Sequence, residues 1–295
     1  MNENELGSIP TTLFSCLFFA SLALTNPLHA TEIAFFYTLE EDIAAFEKVA
    51  GKPSRVSPVG DTPVRVYESG GHRAVAAKMG SGCVRTATSV QATLARFPVQ
   101  FVVSVGPAGG LAEDLNAGSW TWIREAKAYQ RGTHGVAGFT AAKEAAFSVG
   151  EIPPILEGLL ASFAVADPED AGKKIEAAKA GDSVLRDVVA ASGEVFVASG
   201  QQRETLRNET KADVVEMNLF GLLTVQKAHR LPGLHLRVVS DRADDNASES
   251  FAQFVKSYDG RGGTLVGEWF LSLPEDRTAP KSFDGLRRII DGKEE

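Results

Sequence analysis

The chain has 295 residues, 44% hydrophobic and 23% charged, enough for one large core in a single α/β domain. Its formal net charge is −8 and no basic stripe appears, which speaks against a nucleic acid partner. Five scattered histidines without a His-x-x-x-His pair, and two cysteines, Cys16 and Cys83, speak against a metal centre.

Leu13 to Leu24 is an apolar run of twelve residues, too short for a transmembrane helix of ~20 residues. Followed by Asn26-Pro27-Leu28-His29-Ala30, it reads as a secretory signal cleaved after Ala30, which implies a periplasmic or secreted protein without stable membrane insertion. Residues 1–12 contain Glu3 and Glu5 but no Lys or Arg. A mis-assigned start, leaving the protein cytoplasmic, or an uncleaved anchor therefore stays open. Once the leader is removed, Cys83 is the sole cysteine and no internal disulfide can form.

Strand patterns follow at Ile33–Leu39, Val64–Glu68 and Ala74–Met79, the last two forming a hairpin around Gly70-Gly71. Further strands are expected at Val99–Val105, Trp120–Ala126, Val195–Ala198 and Leu234–Val239. Helical spacing marks Glu40–Ala50, Val84–Phe97, Leu219–Leu231 and Ser248–Leu273, with Gly260, Gly262 and Gly263 interrupting the last. Strands alternating with helices predict a three-layer αβα domain with a mixed central sheet over residues 31–273. Residues 136–193 read as a variable, partly helical, solvent-facing insertion, and 274–295 as a charged tail.

Carboxylates near the ends of apolar runs are the main chemical candidates, because ligands of α/β proteins bind at the carboxyl ends of strands. Asp241 follows Val238-Val239-Ser240, either as a general acid or as a turn and cap residue. Glu216 follows Val214-Val215, either as an acceptor for hydroxyls or as an acidic group at a helix start. Glu40-Glu41-Asp42 ordinarily reads as an acidic first helical turn. Gly106-Pro107-Ala108-Gly109-Gly110 permits close backbone approach to a ligand but is no dinucleotide fingerprint. Met79-Gly80-Ser81-Gly82 reads either as a plain tight turn or as a turn where a phosphate could meet a helix N-terminus, and Arg85, Arg203 and Arg237 are the possible anion binders, each alone ordinarily structural or solvated.

In order, Leu39-Glu40-Glu41-Asp42, Ser104–Leu111, Val215-Glu216-Met217 and Ser240-Asp241-Arg242-Ala243-Asp244 resemble the purine nucleosidase and nucleoside phosphorylase superfamily. The nearest branch is similar to 5′-methylthioadenosine/S-adenosylhomocysteine nucleosidase. The resemblance implies a homodimer that cleaves the N-glycosidic bond of a purine nucleoside with neither cofactor nor metal. It implies that Asp241 protonates the leaving purine and that Asp42 activates the attacking water. Glu216, Met217 and Asn218 would bind the ribose, Phe251 would stand near the 5′ side, and Gly109 and Ser240 would line the site. The chain departs from that pattern at Asn218 and Asp42, where the family has glutamates, at Pro107, and at Arg203-Glu204 beside the expected base-binding segment Ser199–Gln202. Two alternatives stay open: a phosphate-dependent phosphorylase, and a secreted binding protein of the same fold.

Overall fold

The computed structural model of the chain describes residues 31–136, 138–142, 145–165 and 185–275. Residues 1–30, read above as a secretory leader, the Ala/Lys/Glu-rich stretch 169–181 and residues after Glu275 lie outside them. In chain order the elements are β1 (Glu32–Tyr37), α1 (Glu40–Ala50), β2 (Arg55–Val59), β3 (Thr62–Ser69), β4 (His72–Lys78), α2 (Cys83–Arg96), β5 (Phe101–Gly110) and β6 (Trp120–Ala128). Then come β7 (Gly132–Gly135), β8 (Gly138–Ala141), β9 (Ala146–Ser148), α3 (Pro154–Val165), β10 (Arg186–Ser192) and α4 (Gly200–Thr210). The chain continues through β11 (Val214–Glu216), α5 (Leu219–Ala228), β12 (Gly233–Asp241), α6 (Ala247–Ser257) and α7 (Arg261–Ser272).

Ten of these strands form one mixed sheet in the order β11-β10-β6-β12-β5-β1-β4-β3-β2, with β9 added to β6. Strand β1 lies between β4 and β5, parallel to both. Its side chains are buried on both faces, as a central parallel strand requires. Ile33, Phe35 and Tyr37 point to one side, where α1, α3 and α7 supply Phe46, Leu159 and Val266. Ala34 and Phe36 point to the other, where α2 and α5 supply Val90, Leu94 and Leu222. This two-residue alternation places helices on both faces and gives the expected three layers.

Two irregularities shape the sheet around the site. Strand β5 outruns its predicted end at Val105 and pairs antiparallel with β11 at Gly109 and Gly110, closing β5, β12, β6, β10 and β11 into a ring. The pairing of β12 with β5 slips between Val239 and Asp241, leaving Ser240 as an extra residue. Such a bulge re-aims the side chains that follow it.

The structure corrects three expectations. Val195–Ala198 is not a strand but an irregular segment between β10 and α4, since a four-residue apolar run has no periodicity long enough to define its state. Residues 136–193 are not simply an insertion. Leu156, Leu159 and Phe163 of α3 are fully buried, and β10 sits inside the sheet between β6 and β11. Within it Pro154 stands first in α3, where its missing N–H costs nothing. Finally, the helix expected from Ser248 starts at Ala247, with Asn246 in the N-cap position and no side-chain cap bond.

His72, at the start of β4, ties the two ends of the domain. Its Nδ1 accepts from the Thr31 N–H at 2.9 Å, so Nε2 carries the proton and donates to the Pro274 carbonyl at 2.6 Å.

Candidate active site

An open cavity of about 110 Å³ lies at the carboxyl ends of β1, β5, β11 and β12. Thr38 and Ser81, the Pro107–Gly109 end of β5, and Val195, Phe196 and Val197 line it. Val215, Glu216, Met217 and Asn218, Ser240 and Asp241, and Phe251 complete the wall. Of the eight residues named from sequence, seven therefore meet here: Asp241, Glu216, Met217, Asn218, Gly109, Ser240 and Phe251. Asp42 does not.

Asp241 ends β12 just past the bulge and is 2% exposed. Its Oδ1 accepts from the Ala243 N–H and its Oδ2 from the Ser240 hydroxyl, each at 2.8 Å. Ala243 adopts φ 52°, uncommon for a residue with a Cβ, and this conformation belongs to the turn that donates its amide to the carboxylate. Burial raises the Asp241 pKa above the ordinary carboxylate range, the two hydrogen bonds oppose that rise, and Asp244 adds to it. Gly109 packs directly on this carboxyl: a Cβ there would stand 3.0 Å from Oδ1 and 3.1 Å from the Ala243 Cβ.

The Ser240 hydroxyl has one proton and two acceptors in reach, Asp241 Oδ2 and the Ala108 carbonyl at 3.2 Å. With Asp241 ionised it donates to the carboxylate. With Asp241 protonated it can turn to Ala108 and accept instead. The site thus accommodates both protonation states without stranding a donor.

Glu216 fits the helix-start reading and also stands on the cavity wall. Its carboxylate receives the first amides of α5, from Asn218 at 2.8 Å and from Leu219 at 2.9 and 3.0 Å. The fully buried Arg237 donates to its Oε2 at 3.3 Å and continues to Ser104, which meets His235 Nδ1 at 2.9 Å. Burial, aided by the Arg237 charge, pushes His235 down to about 3, so the imidazole is neutral. The Asn218 amide donates to the Gly80 carbonyl and to Thr86 Oγ1, joining α5 to the turn before α2.

Asp42 lies on α1, fully buried against α7. Its Oδ1 accepts from the Tyr258 hydroxyl at 2.6 Å and from the Gly263 N–H at 3.2 Å, while Oδ2 is buried without a partner. Burial pushes its carboxyl up to about 7, against those two hydrogen bonds. Its short side chain, anchored to Tyr258 and Gly263, does not reach the cavity wall.

Two of the candidate anion binders, Arg203 and Arg237, are bonded to protein groups, and Arg85 is exposed and not part of the cavity wall. Arg203 donates from Nε to the Gly110 carbonyl at 3.2 Å and from Nη2 to the Leu111 carbonyl at 3.1 Å, clamping α4 to the glycine-rich end of β5. The N-terminus of α2 receives Glu194, whose Oε1 accepts from Val84 N at 3.0 Å. A protein carboxylate thus holds the position proposed for phosphate. No lysine, arginine or histidine is among the described residues lining the cavity.

The segment Val195-Phe196-Val197 is the part of the wall that sequence reasoning misplaced. Phe196 meets Phe251 edge-on, with ring centroids 5.6 Å apart. The usable signal was an apolar triplet just before the Ser199 cap of α4, since a loop entering a helix at a strand end borders such a site.

A family model, the Phosphorylase superfamily, matches residues 32–268, and the chain belongs to that family. An aminodeoxyfutalosine nucleosidase of Helicobacter pylori is 40% identical over 73 residues, 25% of this chain and about a third (32%) of that protein's length. A 5′-methylthioadenosine/S-adenosylhomocysteine nucleosidase of Anoxybacillus flavithermus is 26% identical over 231 residues, 76% of this chain and 91% of that one. Among solved structures, the 5′-methylthioadenosine/S-adenosylhomocysteine nucleosidase of Neisseria meningitidis in complex with methylthio-immucillin-A shares the fold, with a TM-score of 0.65 and 22% identity. That likeness covers 82% of this chain and all (100%) of the other.

Proposed function

We propose that this protein hydrolyses the N-glycosidic bond of a purine nucleoside of the 5′-methylthioadenosine/S-adenosylhomocysteine type, as a homodimer. The observation that carries the reading is Asp241, a buried carboxyl with a raised pKa on the wall of an aromatic-lined cavity. A purine anion leaves poorly, so a proton must reach its ring nitrogen as the bond to C1′ breaks. Burial keeps Asp241 protonated to higher pH, and Ser240 stabilises the carboxylate that remains after transfer.

The bonding electrons depart with the base and leave an oxocarbenium-like sugar. Water adds its oxygen to C1′ and releases a proton to solvent, from which Asp241 is recharged. The products are the free base and a ribose derivative. Phe196 and Phe251 offer apolar faces to the nucleoside. The absence of a cation from the described cavity wall favours water over phosphate as the acceptor.

Purified protein from Thr31 onward, given methylthioadenosine, S-adenosylhomocysteine, adenosine and inosine, should release free base without phosphate. Release only with phosphate would make the protein a phosphorylase, and binding without release would leave a binding protein. Asp241→Asn should lower kcat by ~10²–10⁴-fold while the thermal transition persists. Near-normal turnover in that variant removes Asp241 as the acid.

A further inference from the structure

The polar groups of the cavity wall are unevenly used. Glu216, Asn218, Ser240 and Asp241 all have protein partners. Ser81 is exposed to solvent, which leaves Thr38 as the buried exception. Its Oγ1 is buried and has no hydrogen-bond partner among the described residues. Burying an unpaired hydroxyl is destabilising, and such a group calls for a reason.

The surroundings keep it unpaired. Thr38 follows β1 directly, at the mouth of the cavity. The neighbouring strand presents Gly106, where a Cβ would come within 2.5 Å of Oγ1, and then Pro107, which has no N–H to donate. Four residues along the chain, Asp42 Oδ2 is also buried and unpartnered. The turn from β1 into α1 therefore carries two unsatisfied oxygens, one of them on a residue of the cavity wall.

We infer that Thr38 is a ligand-contacting residue whose hydroxyl, turned from the Gly106 side toward the cavity by rotation about χ1, hydrogen-bonds an oxygen in the occupied site, either a hydroxyl of the nucleoside sugar or the attacking water. The inference rests on the nucleosidase reading and adds a residue to it. A threonine here is maintained at a cost to the unliganded protein, and the bound state recovers it. Valine is nearly isosteric and lacks the hydroxyl, so Thr38→Val separates the two effects in opposite directions.

Thermal unfolding and steady-state kinetics with methylthioadenosine would be measured for the wild type, Thr38→Val and Thr38→Ser. The expected result is a higher Tm for Thr38→Val, with kcat/KM reduced about tenfold or more, and kcat/KM held within a few-fold in Thr38→Ser. A loss carried by KM assigns the contact to a sugar hydroxyl, and a loss carried by kcat assigns it to the attacking water. Unchanged kcat/KM in Thr38→Val overturns the inference, as does an equal loss in the serine variant. If the wild type binds nucleosides without turning them over, the nucleosidase reading falls independently. Calorimetric affinity for adenosine then decides Thr38: a tenfold weaker Kd in the valine variant upholds it and an equal Kd overturns it.

Discussion

At the scale of single residues, two buried aspartates sit in different surroundings. Asp241 has both oxygens bonded and faces the cavity, whereas Asp42 has one oxygen bonded and faces a helix. Asp42 titrates at about 7 when folded, above the ordinary 3.8 of an unfolded chain. Below both values it is neutral in both states and costs nothing. Between them the unfolded chain releases a proton that the folded protein retains, so stability falls as pH rises, by at most about 1.4 kcal/mol per unit. Above about 7 the loss is complete. Asp42→Asn keeps an acceptor for Tyr258 and Gly263 but does not ionise, so its Tm should decline less between pH 4 and 7 than that of the wild type. Parallel Tm profiles for the two proteins would contradict this. Asp241 and Glu216 were legible in the sequence because each ends an apolar strand. The position of Asp42 was not, because a side chain anchored by Tyr258, more than two hundred residues away, leaves no local trace. The partners of Arg203 were not legible for a related reason: they are backbone carbonyls, which any sequence can present.

Among elements, the long apolar strands and amphipathic helices were read correctly because both faces of the sheet are covered by the same alternation. Of the elements missed, β2 is short and holds a proline, whereas α4, with eleven residues and no proline, is mostly polar and buries only Leu206, too weak an apolar stripe to read. Strand β2 contains Pro58 and sits at the sheet edge, where a missing donor is tolerated. The glycines expected to interrupt the last helix do more than that. Gly260, at φ 76°, starts α7, and Gly263 lies so close to α1 that a Cβ would collide with the backbone carbonyl of Asp42. The two helices can approach only through these small residues. Gly263→Ala should force α7 off α1 and cost at least the ~1–3 kcal/mol of an overpacked core. Urea titration reads this directly, and a midpoint within error of the wild type would show that the contact can relax.

For the whole molecule, two of the exposed large apolar side chains, Val195 and Phe196, stand on the cavity wall, and Val84 is tied to them through Glu194. Val84, at the start of α2, is 72% exposed, Val195 52% and Phe196 40%. Val84 and the 194–196 segment are held together by the Glu194 bond to the α2 N-terminus. Apolar exposure at these positions is suited to a second copy related by a two-fold axis. Sedimentation equilibrium at micromolar concentration should therefore give a dimer, and Val84→Asp should shift it toward monomer. A wild-type monomer would remove the proposed assembly. The His72 clasp has a separate consequence. Thr31 and Pro274 bond to the same imidazole, at the end of β1 remote from Thr38 and the cavity. Joining those two positions needs only a short linker, so the domain is open to circular permutation, with new ends cut in an exposed turn such as Gly60-Asp61 and the catalytic end of the sheet left covalently intact.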